Sequence, residues 1–142
     1  MKDHKKAIWQ VIIISIWINV AETIRWIVFA KPYFVSHYQK MNIEPPSGPL
    51  YLIIWFVWGV LLALLIYIIS RKFSLIETTI IVWLSVYSGI WIMLFNQSLV
   101  TFPILVTIAA FCFIEIFIAT LISKYFHNKF NTNDINNNSI YD

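Results

Sequence analysis

The sequence predicts an all-α integral membrane protein, a bundle of four transmembrane helices, and three observations carry that prediction. Of its 142 residues, 60% are hydrophobic and only 12% are charged, against roughly 45–50% and about 25% in soluble domains. So few charges cannot cover a water-soluble globule, and an 18% aromatic content excludes a disordered chain. Four apolar stretches lie at 7–30, 50–70, 75–96 and 101–123, each near the ~20 residues that cross a bilayer core. Finally, the basic residues sort by side. Lys2, Lys5, Lys6, Arg71, Lys72, Lys124 and Lys129 fall on one side, and Lys31 and Lys40 on the other. The positive-inside bias then makes both termini cytoplasmic, and an even number of spans requires the termini to share a side. The expected location is a bacterial cytoplasmic membrane.

The first span lies between the basic start and Lys31-Pro32. Val28-Phe29-Ala30 offers small residues for signal cleavage, but Asn19, Glu22 and Arg25 interrupt the apolar run that a cleaved signal needs, so a retained span is expected. The second span, between Pro49 and Arg71-Lys72, holds no charge and almost nothing polar at depth. It is predicted to be the most lipid-exposed helix. The third opens on Ser74-Leu75-Ile76-Glu77, a capping box in which serine and glutamate reciprocally satisfy amide donors at the helix start. The fourth carries Pro103 in its first turn, where a missing amide donor costs little.

Short connections at Arg71-Lys72-Phe73 and Asn96-Gln97-Ser98 make spans two, three and four antiparallel neighbours in sequence order. The first outer loop, 31–49, is long and rich in proline and aromatic residues. It reads as an interfacial linker, a short amphipathic piece followed by an extended stretch. From His127 to Asp142 the chain turns polar, with six asparagines and no apolar periodicity, and a disordered tail is expected. Trp9, Trp26, Tyr51 and Tyr125 fall near predicted interfaces. Some of the deeper tryptophans should turn their N–H groups inward to a partner. Trp17–Phe29 and Trp83–Phe95 echo each other at Trp17/Trp83, Val20/Val86, Ile24/Ile90 and Phe29/Phe95, matches too few to establish a repeat in so Ile-rich a chain.

Ionisable groups at membrane depth are expensive and are functional candidates by default. Glu22 and Arg25 in the first span are three residues apart, close enough to pair on one helix face. Ser15, Asn19, Glu22 and Trp26 form one stripe that should face the bundle. Glu115, in the fourth span beside Cys112, has no cation within a turn. Counting the rise per residue places Arg25 about 13–19 Å from it along the membrane normal, too far for direct contact. An isolated carboxyl there favours its neutral form, hydrogen-bonded to Ser88, Asn19 or a backbone carbonyl. Ser85, Tyr87, Ser88 and Gly89 are expected to supply the polar positions of the third span. The candidate ligand- or proton-binding residues are therefore Glu115, Glu22, Arg25, Asn19 and Ser88, in a cluster enclosed by spans one, three and four.

Catalysis finds little support. His4, His37 and His127 lie apart with no metal-ligand spacing, and one cysteine builds no metal site. No phosphate-loop, nucleophile-elbow or zinc-protease signature occurs, and no cofactor or metal is expected. The net charge of +3 is explained by basic residues at membrane edges rather than by a nucleic-acid partner. The pair Ala21-Glu22 resembles the first-span glutamate of small multidrug exporters. The long outer loop, Arg25, Glu115 and the Asn-rich tail depart from that pattern, and family membership does not follow. Two functions compete, the first the leading expectation and the second its alternative. One is a transporter-like or ligand-binding bundle that takes a small lipophilic or cationic ligand at Glu115 and Glu22/Arg25. The other is an accessory or scaffold subunit, partnered by lipid, by another membrane protein or by a second copy.

Overall fold

In a computed structural model the chain is all-helical. Residues 2–42, 44 and 47–138 are described, with side chains from 4 to 129 except 43, 45 and 46. In order, the elements are α1 (Lys2–Arg25), a π-helical segment (Trp26–Ala30), α2 (Lys31–Lys40), α3 (Pro49–Ser70), α4 (Leu75–Val86), a second π-helical segment (Tyr87–Ile92), α5 (Met93–Asn96) and α6 (Phe102–Asn138). Four helical stretches are long and apolar enough to cross a membrane: His4–Lys40, Pro49–Ser70, Leu75–Asn96 and Phe102–Lys129.

The core joins Ile14 and Ile18 of α1, Leu62, Ala63 and Ile66 of α3, Val82 and Val86 of α4, and Ile116 and Ala119 of α6. Small residues let α3 and α6 approach closely, and farther along the same contact Ser70 Oγ and Ser123 Oγ share a 2.7 Å hydrogen bond. The Lys124 ammonium donates to the carbonyls of Ser70 and Phe73 at 2.5 Å each, closing the C-terminus of α3 where carbonyls lose their helical partners. At the other side of that turn the expected capping box forms. Ser74 N donates to Glu77 Oε2 at 2.9 Å, and Ser74 Oγ accepts from Glu77 N at 3.4 Å.

Two departures from the sequence expectations have local causes. The outer loop does not begin at Lys31, because the first helix continues through the π segment and α2 to Lys40. Pro32 lacks an amide donor, and the π segment lies directly before it, with Lys31 N–H reaching back five residues to the Trp26 carbonyl. Trp26 stacks on Phe34 at 5.8 Å and tilts against Trp55 at 5.8 Å, holding α2 beside α3. The second departure is at the C-terminal end. Where the asparagine-rich sequence predicts a disordered tail, α6 runs on to Asn138; extending a formed helix avoids the nucleation cost that a separate segment meets. Residues 139–142 of the expected tail lie outside the described residues. The exposure expected of α3 is present along its length, with Leu61, Leu64, Leu65 and Ile68 exposed as well as its first turns. Residues 50–57 are exposed on every face, whereas Leu62, Ala63 and Ile66 sit in the core.

The second π segment contains Ser88 and Gly89. Ser85 Oγ donates to the Ile81 carbonyl at 2.8 Å and Ser88 Oγ to the Leu84 carbonyl at 2.6 Å. Hydroxyls that compete for helix carbonyls loosen the backbone ladder. Ahead of α3, Gly48 adopts φ +109°, a conformation side chains rarely permit, and Pro49 then starts the helix with its φ already set.

Candidate functional site

Glu22, Arg25, Cys112 and Glu115 are brought together inside the bundle. Their exposures are 6%, 7%, 3% and 5%, so all four are screened from the surroundings. Glu22 and Arg25 form the ion pair that their spacing predicts. Arg25 Nη1 also donates to Cys112 Sγ at 2.6 Å, and its guanidinium lies over the Trp91 ring, 5.4 Å from the centroid. Phe29 packs on Phe111 at 4.4 Å beside this group. The elements that position the site are α1, the second π segment and α6, which belong to spans one, three and four.

As expected, Arg25 and Glu115 form no ion pair among the described residues, yet Arg25 comes within one helical turn of Glu115. Cys112 is one turn from Glu115 on α6, and Arg25 reaches it; Glu22 and Arg25 both lie within electrostatic range of Glu115. Contacts at Trp17–Glu115 and Arg25–Cys112 show that α1 and α6 run antiparallel. Side chains on a helix lean toward its N-terminus. On antiparallel helices the two groups therefore lean toward each other, which an axial count of Cα positions omits. Arg25 accordingly points along α1 into the bundle, not toward the nearer helix end.

Two other predicted members lie elsewhere. Ser88 is exposed and satisfied by the Leu84 carbonyl of its own helix. Ser85 and Gly89 are exposed with it, so the outward face of the third span carries these small polar groups. Asn19 is half-buried against α3. Its Nδ2 donates to the Ser15 carbonyl at 2.9 Å, and a Cβ at Gly59 would lie 2.4 Å from that nitrogen. Asn19 and Ser15 thus belong to the α1–α3 contact, although they share a stripe with Glu22.

The inward tryptophans are as expected. Trp17 Nε1 donates to the Glu115 carbonyl at 3.0 Å, and Trp83 Nε1 donates to the Ala109 carbonyl at 2.9 Å. Tyr87 OH adds a third donor to α6, at the Leu105 carbonyl, 3.3 Å away. Trp17 and Trp83 are one of the four pairs at which the two sequence segments echo, and both anchor their helices to α6. A carbonyl oxygen has two lone pairs, so each accepts a ring N–H without giving up its helical bond.

Sequence reasoning missed a second buried polar set: Gln10, Ser70, Thr78, Thr79, Thr120 and Ser123. Thr79 and Thr120 each bond a carbonyl one turn back on their own helix, at 2.8 Å. Hydroxyls satisfied in this way cost little in an apolar interior. Their spacing with Ala119 and Ser123 on α6 was the available signal.

Glu115 Oε1 is buried with no hydrogen-bond partner among the described residues. Two shallow apolar grooves, about 140 and 260 Å³, run along α1 and α3; Val11 and Ile12 line both. Neither is lined by Glu22, Arg25, Cys112 or Glu115. Among the described residues no group of three His, Cys, Asp or Glu side chains could hold a metal ion. Comparison with family models, curated proteins and solved structures finds no match.

Proposed function

We propose that this chain is a non-transporting component of a membrane assembly, an accessory or scaffold subunit that works by lateral association with another membrane protein. The observation that carries the reading is the closure of the charged cluster. Arg25 is engaged by Glu22, Cys112 and Trp91, and both grooves are apolar and lie elsewhere, on the α1–α3 face. At 140 and 260 Å³ they are smaller than the ~300–1,000 Å³ of drug-sized ligand sites, and suit an acyl chain. In this reading the ion pair serves helix packing, and the protein has no enzymatic role, cofactor or nucleic-acid partner. Both termini lie in the cytoplasm, supported by the excess of Lys and Arg at the start, at the second turn and after the fourth span.

A second reading, a ligand-binding or transporting bundle, draws on one specific observation, the unpartnered Glu115 Oε1. Reconstitution separates the two. Liposomes holding the purified chain should show no uptake of lipophilic cations under a pH gradient beyond that of empty liposomes. Uptake that Glu115→Gln abolishes would overturn the accessory reading.

A further inference from the structure

Charge bookkeeping at the buried cluster does not close. Glu22 and Glu115 are two buried carboxyls, and Arg25 is the one buried cation among the described residues. The guanidinium is already committed, with Nη2 on Glu22, Nη1 on Cys112 Sγ and its face on Trp91. Glu115 is 5% exposed, and its Oε1 has no partner. Among the described residues no other Lys, Arg or His is buried. The buried residues of α3 are Gly59, Leu62, Ala63, Ile66 and Ser70, and those of α4 are Thr78, Thr79, Val82 and Val86. Tyr87, from the second π segment, spends its hydroxyl on the Leu105 carbonyl. An ionised Glu115 would therefore leave one negative charge without a counter-ion in a low-dielectric interior, the arrangement that buried charges avoid.

We propose that the interior binds one proton, on the carboxyl of Glu115, and that this proton lets two carboxyl groups share the single guanidinium of Arg25. A proton is the ligand that fits. It needs no cavity, and neither groove reaches the cluster. A metal ion finds no group of three ligands among the described residues. Binding is a simple addition, carboxylate plus proton giving the neutral acid, and no other bond changes. The site is independent of whether the chain associates or transports.

The test is infrared spectroscopy of the full-length protein in lipid at neutral pH, reading the C=O stretch of a protonated carboxyl. Exposed acids are ionised there and do not contribute. The wild type should show the band, and it should shift in D2O. Glu115→Gln should remove it. Glu22→Gln should also remove it although Glu115 is present, because Arg25 then takes Glu115 as its only counter-ion and the proton leaves. Absence of the band from the wild type overturns the proposal, as does its survival in Glu115→Gln. Its survival in Glu22→Gln overturns the sharing. Should Glu115→Gln fail to fold, the wild-type and Glu22→Gln spectra still decide.

Discussion

At the scale of single residues, Arg25 organises the interior. It joins α1 to α6 through Cys112 and to the second π segment through Trp91. Removing one partner of a buried pair strands the other charge, a loss of about 3–5 kcal/mol. Arg25→Leu should therefore destabilise the protein by that amount in denaturation from lipid–detergent mixtures. Arg25→Lys should recover only part, since a point charge cannot pair Glu22, reach Cys112 and lie flat on Trp91 together. Full stability in Arg25→Lys would show that the planar fork is unimportant. The pairing of Glu22 with Arg25 was legible because it is local, three residues on one helix. The arrival of Arg25 at Cys112 was not. It depends on how two distant helices run past each other and on side chains leaning in opposite directions, neither of which a residue count along one axis contains. Ser88 was misplaced for a related reason, because a hydroxyl can satisfy itself on its own helix and then has no need to face inward.

At the scale of elements, two contacts offer tests. Asn19 lies against Gly59, where an added Cβ would meet Nδ2 at 2.4 Å. Gly59→Ala should cost about 1–3 kcal/mol through overpacking of the α1–α3 contact. Asn19→Ala in the same chain should relieve most of it, a coupling that a double-mutant cycle measures. Additive costs would mean that the two residues do not press on each other. The first π segment ends just before Pro32. Pro32→Ala supplies the missing amide donor, and the segment should relax to an α-helix, turning α2 and parting the stacked Trp26 and Phe34 rings. Nuclear Overhauser contacts between those rings should fade; unchanged contacts would remove proline as the cause. The second and third apolar helices and the Ser74 capping box were readable because composition and caps are local signals. For 31–40 a short amphipathic piece was readable, but its continuity with the first helix was not, since Pro32 and the loop-like composition point the other way. What holds α2 in place is tertiary, the packing of Trp26 on Phe34 and Trp55.

At the scale of the whole molecule, the account rests on an interior that is polar, charged and closed. Outside the small polar groups of the third span, much of the surface is apolar: residues 50–57 of α3 are exposed on every face, and the grooves beside α1 are apolar. Such a surface suits lipid or another apolar helix, while Glu22, Arg25 and Glu115 lie buried in the interior. The chain carries its own probe for this arrangement. Its one cysteine is Cys112, 3% exposed beneath Arg25. The deciding measurement is therefore the rate at which a small membrane-permeant maleimide labels the native protein in lipid. The account predicts that Cys112 stays unlabelled until the fold is broken by denaturing detergent, and then reacts fully. Rapid, complete labelling of the folded protein would contradict it.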